Sequence, residues 1–228
     1  MRQNLLLGTL ILTLAACAPP PAPEGEAEAP SVVEVEAVPE AVVDVANAAA
    51  QIAAAVTAAP EDRREGAAVR GYTESGELVL IRAGTNDLVC LADTPGDERF
   101  QVACYHVELE PYMARGRELR TEGVTGPDSF DIRHAEIEAG ALPMPRDPKM
   151  VYNLGGDEAM HDPATGAVEE AYGRRVHAVY TPYATEASTG LPTTPVQAGA
   201  PWIMRAGTPT SHIMVVMNPL KTRDEAGD

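Results

Sequence analysis

Asp87-Leu88-Val89-Cys90-Leu91-Ala92, then Asp93-Thr94-Pro95-Gly96-Asp97-Glu98-Arg99, then Phe100-Gln101-Val102-Ala103-Cys104-Tyr105 form one run of two strand-like segments joined by turn residues. Two apolar, valine-bearing segments flank a Pro-Gly turn, the pattern of an antiparallel hairpin. If the chain folds back around Asp97, residues whose numbers sum to 194 face one another, and Cys90 and Cys104 meet that sum. Directly opposed residues on antiparallel strands have Cα atoms about 4.5–5.5 Å apart, a separation that a disulfide accepts. The spacing therefore predicts a disulfide between neighbouring strands.

On either side of this run, turn residues separate further short strands predicted over 68–73, 77–82, 150–154, 172–180, 201–205 and 212–217. Two helices stand between the Cys104 strand and residue 150. In the first, Pro111 occupies an early position, and Leu109, Tyr112, Met113, Gly116 and Leu119 share a face. The second opens at Pro127, carries Phe130, His134 and Ile137 as a stripe, and ends at Gly140. Asp162-Pro163-Ala164-Thr165-Gly166 suits a hairpin turn, and residues 181–201 read as a long surface loop. The fold class is α+β: mostly antiparallel strands with two consecutive helices inserted mid-domain. All ten aromatic residues fall between Tyr72 and Trp202. The globular domain is expected over 60–220, with a charged tail at 221–228.

Upstream the composition changes twice. Residues 41–59 are rich in alanine and valine, with Val45, Ala49, Ile52 and Val56 at helical spacing. A helix of that length is marginal on its own, and it reads as a helical spacer. Proline and glutamate dominate residues 17–40, which contain no basic or aromatic residue. Such a stretch does not bury enough apolar surface to offset its ordering entropy, so a disordered tether is expected.

At the N-terminus, Met1-Arg2-Gln3-Asn4 precedes an uncharged run from Leu5 to Leu14 and ends in Leu14-Ala15-Ala16-Cys17. A cationic start, a short apolar middle and small residues before a cut describe a signal peptide, here residues 1–16. The Leu-Ala-Ala-Cys ending resembles the lipobox of bacterial lipoproteins. That resemblance covers residues 1–17 and implies a diacylglycerol on the Cys17 sulfur, cleavage before Cys17, and acylation, such as palmitate, of the new amino group. It implies a cell-envelope protein whose partner is the membrane, held by lipid. Ala18 replaces the aspartate that, in enteric lipoproteins, signals retention in the inner membrane, so the outer membrane is expected. With Cys17 lipidated, the odd count of three cysteines resolves into one anchor and one pair, as an oxidising compartment favours.

With 34 acidic and 17 basic residues, the net charge is −17. That opposes nucleic acid, which is bound largely through phosphate neutralisation by Lys and Arg. No cofactor is expected on the preferred reading, a non-catalytic domain that binds a small ligand or another envelope protein. Its expected contact residues are Tyr180, Tyr183 and Trp202 at the edges of the 181–201 loop, since aromatics are enriched at recognition sites. The alternative is a zinc-dependent envelope hydrolase drawing three ligands from His106, His134, His177 and His212. His161, beside a turn, reads as solvated. Gly155-Gly156-Asp157-Glu158 superficially resembles the Gly-Gly-Asp-Glu-Phe signature of diguanylate cyclases. Ala159 stands where that signature has phenylalanine, and a strand-ending turn accounts for the same residues.

Overall fold

The structure, a computed structural model, describes residues 41–197 and 199–218. The signal peptide, Cys17, the tether to residue 40 and the charged tail lie outside the described residues. Among the described residues eight strands form one sheet: β1 (Ala68–Tyr72), β2 (Leu78–Arg82), β3 (Leu88–Leu91), β4 (Arg99–His106), β5 (Lys149–Asp157), β8 (Arg174–Tyr180), β9 (Trp202–Met204) and β10 (His212–Met217). Their order is β2-β1-β3-β4-β5-β8-β10-β9, and only the β1–β3 pairing is parallel. A separate two-stranded hairpin joins β6 (His161–Asp162) to β7 (Ala167–Val168). The α+β class is as the sequence implies.

The parallel pairing follows from one short crossing. The link from β2 to β3 passes the start of β1, where the amides of Thr85 and Asn86 both donate to the Gly66 carbonyl. A Cβ on Gly84 would lie 2.8 Å from the Ala68 nitrogen, so the link passes there only as glycine. The β3–β4 register is the one predicted: Leu88 opposes His106, Val89 opposes Tyr105, and Cys90 opposes Cys104. Cys90 and Cys104 are disulfide-bonded.

Alternation along β4 gives each face of the sheet its own core. Phe100, Val102 and Cys104 point to one face, joining Val69, Ile81, Leu88, Cys90 and Leu154. Tyr105 points to the other, with Val89, Val151, Ala178 and Tyr180. Two helices cover that second face, α2 (Glu110–Thr121) and α3 (Gly126–Glu138), inserted between β4 and β5 as expected. Leu109, Tyr112 and Leu119 are buried, in agreement with the predicted face of α2. On α3 the deepest residues are Ser129 and Arg133 rather than the Phe130–His134–Ile137 stripe. The guanidinium of Arg133 lies 4.1 Å from the Tyr112 ring centroid and 5.0 Å from that of Phe130. It fits because Gly116 has no side chain; a Cβ there would meet the guanidinium at 2.7 Å.

The first face is covered by α1 (Ala48–Ala55) and the single 3₁₀ turn that follows it. This corrects the expectation of a helical spacer over 41–59 and of a domain starting at 60. Ala54, Ala55, Ala58 and Ala59 are at most 2% exposed and belong to the same core as Phe100 and the disulfide. The chain on either side is tied down as well. The Val43 amide donates to Leu80 O on the edge strand β2. Arg64 and Arg175 both donate to the Thr57 carbonyl, and both pair with Glu170. Alanine lets the helix backbone approach the sheet closely, so the buried stripe is the small-residue one. Among the described residues no helix is long and apolar enough to cross a membrane.

Candidate functional site

An open cleft of about 460 Å³ lies where α1, the end of β1, the β3–β4 turn and the β6–β7 hairpin meet. Each wall has a local cause. The Gln51 side chain donates to Tyr72 O and accepts from Tyr72 N at 2.9 and 2.7 Å, so an α1 amide continues the hydrogen bonding of β1. Gly71 makes room for it: a Cβ there would lie 2.6 Å from the Gln51 oxygen. The Tyr72 hydroxyl reaches Thr94 Oγ1 at 3.2 Å, joining β1 to the turn. The hairpin touches α1 at Gly166, which takes φ +74°; a Cβ would collide with the Ala50 carbonyl at 2.1 Å. Only glycine meets both demands at that position.

Three titratable side chains converge in this cleft: Asp93, Glu158 and His161, each offering a donor atom within 4.8 Å of the other two. Asp93 follows β3 and accepts from the Gln101 amide at 2.6 Å, a residue whose number completes the sum of 194. Its carboxyl is pushed up to about 6, first by burial, against the Gln101 hydrogen bond, and further by the nearby Glu158 and Asp97 carboxylates. Glu158 opens and His161 follows a 3₁₀ turn capped by Asp157, whose carboxylate accepts from Ala159 N at 2.9 Å. The His161 side chain is 8% exposed, and its ring lies 4.8 Å from that of Phe100. Burial holds its imidazole below the usual histidine range, opposed by Glu158 and Asp162. Nδ1 of His161 and Oε2 of Glu158 are both buried without a hydrogen-bond partner. Nδ1 stands 4.0 Å from Glu158 Oε1.

Two sequence expectations change here. The Gly155–Glu158 run is not a strand-ending turn: β5 continues through both glycines, which pair with Gln101 and Phe100. Gly156 is needed because a Cβ would sit 2.6 Å from the Met160 sulfur beneath it. His161 is not solvated. Its spacing of three from Glu158, just beyond a glycine pair, was the available signal. Asp93 was recognisable only as the residue opposite Gln101.

The four histidines named as zinc ligands are not brought together. His106 accepts from Glu108 N at 3.2 Å and lies 3.4 Å from Asp87, capping the turn before α2. His134 lies beside Glu138, 3.7 Å away on α3. His177 packs edge-on against Tyr152 on the α1-side face. His212 stacks on Tyr180 on the opposite face, with Nδ1 2.8 Å from Thr210 O. The aromatic trio is dispersed as well. Tyr180 is buried in the second core against Tyr112. Tyr183 is exposed and donates to Glu138 at 3.1 Å, while Trp202 is half-buried on β9 opposite Met214. The 181–201 segment includes a one-turn helix, α4 (Glu186–Thr189), closed by a Thr185–Ser188 capping box. Comparison with protein-family models, curated proteins and solved structures finds no match to this chain.

Proposed function

We propose that this is a lipid-anchored binding protein of the cell envelope, held by Cys17 and presenting the cleft beside α1 to a small ligand. The observation that carries the binding reading is the cleft itself: about 460 Å³, open, walled by four elements, with buried polar atoms lacking partners. That volume suits a small molecule, since ligand sites span roughly 300–1,000 Å³ and combine apolar walls with a few convergent polar groups. Binding is favoured over covalent catalysis because the side chains of Cys104, Ser188 and Ser211 are engaged structurally. Cys104 is in the disulfide, Ser188 Oγ bonds within its capping box, and Ser211 Oγ donates to Ala184 O at 2.9 Å. The lipobox supports the anchor, and the proline- and glutamate-rich stretch supports display at a distance from the bilayer.

Two measurements test the two halves. Cys17→Ala should move the protein from the membrane to the soluble fraction; an unchanged membrane fraction would refute the anchor. Native mass spectrometry of protein released gently from envelopes should detect a non-covalent organic adduct. Thr94→Trp, which fills the cleft mouth from an exposed turn, should abolish it. A protein that carries no adduct, or one that Thr94→Trp leaves in place, would refute the ligand reading.

A further inference from the structure

We infer that Asp93, Glu158 and His161 form a binding site for one divalent transition-metal cation of the zinc class. This deepens the binding reading of the same cleft and rests on it. Three observations support the site independently of one another. The donors converge from two separate parts of the chain, the β3–β4 turn and the segment after β5, to within 4.8 Å. The His161 side chain is over nine-tenths buried, yet its Nδ1 has no hydrogen-bond partner, and the buried Glu158 Oε2 is equally without one. Buried polar atoms are nearly always paired, so two orphans side by side call for a missing partner. A cation accepts lone pairs from a carboxylate oxygen and an imidazole nitrogen at once and so would satisfy both orphans together.

The donor set narrows the cation. Imidazole suits zinc and its neighbours, whereas calcium and magnesium prefer oxygen alone. Two carboxylates and a neutral imidazole balance a divalent charge. Three protein ligands leave a coordination position open, as sites that take water or a ligand atom do, and all three residues line the cleft. At bond lengths of about 2.0–2.1 Å a tetrahedral site has donors roughly 3.4 Å apart. Separations of up to 4.8 Å therefore have to contract by as much as about 1.4 Å on loading, through the Asp93 and Glu158 side chains. Acidic neighbours favour cation entry: Glu74 lines the cleft, and Asp97 lies in the adjoining turn.

The test is equilibrium dialysis and calorimetry of the full mature chain with zinc alone. One equivalent should bind, and Glu158→Gln and His161→Gln should each weaken it at least ~10-fold, since even groups that only hydrogen-bond to a ligand change metal affinity by roughly 10–100-fold. His134→Gln, at the unrelated His134–Glu138 pair, should bind zinc as the parent does. Histidine nitrogen NMR of the unmodified protein provides a readout independent of whether the variants fold: zinc should move the Nδ1 resonance of His161. No stoichiometric zinc, variants that bind undiminished, or a shift at another histidine would each overturn the site. An organic adduct that persists without zinc would leave the ligand reading intact while this inference fails.

Discussion

At the scale of single residues, the disulfide and the buried histidines respond most clearly to solution conditions. Cys90 and Cys104 close a loop with a sequence separation of 14, directly beneath α1, where the Cys104 sulfur lies 3.5 Å from Ala55 O. The chain-entropy model gives about 3 kcal/mol for a loop of this size. Replacing both cysteines with serine should therefore lower the unfolding free energy in urea by about that amount, and an unchanged midpoint would contradict it. This pairing was legible in the sequence because strand register obeys simple arithmetic. His212 was not, because nothing local shows that it stacks on Tyr180. Burial holds its imidazole below the ordinary 6.5, with Arg205 adding to the effect and the Thr210 carbonyl opposing it. A histidine whose folded value is depressed is protonated first in the unfolded chain, so stability falls as pH drops below about 6.5. His161 and His177 carry shifts of the same direction. His212→Phe should reduce the loss of thermal stability between pH 7 and pH 5; an equal loss in parent and variant would contradict the assignment.

Among the elements, α1 is the one the sequence misplaced, and the reason is physical. A search for large apolar side chains at helical spacing finds Val45, Ile52 and Val56, which are only partly buried. The buried residues are alanines, whose value lies in letting the helix approach the sheet, and composition alone does not distinguish a packed alanine face from a spacer. A chain beginning at residue 60 would leave Phe100, Cys104 and Leu154 without the helix that covers them, and would lose the Gln51 bridge to Tyr72. It should show no cooperative thermal transition, whereas one beginning at residue 41 should melt like the mature protein. Equal melting of both would return α1 to the role of a spacer. The hairpin was legible from Asp162 to Gly166. Its contact with α1 was not, since the close approach of Gly166 to Ala50 O joins residues 116 positions apart.

Over the whole molecule, one sheet separates two cores that differ in character. The α2–α3 side is sealed by large side chains, with Tyr105, Tyr112, Leu109 and Leu119 almost fully buried. The α1 side is closed by small ones and leaves a cleft at its rim. The class, the helical insertion and the hairpin register could be read from periodicity, turn residues and cysteine spacing. The cleft could not, because its three converging side chains come from segments more than sixty residues apart and meet only through tertiary packing. The proposed binding site is this cleft, with Asp93, Glu158 and His161 as its polar anchor. The most direct measurement is anomalous diffraction at the zinc absorption edge from crystals of the zinc-loaded chain. A single strong peak among the Asp93 and Glu158 carboxylates and His161 Nδ1 is the predicted result. Zinc bound only elsewhere, or no ordered zinc at all, would contradict it.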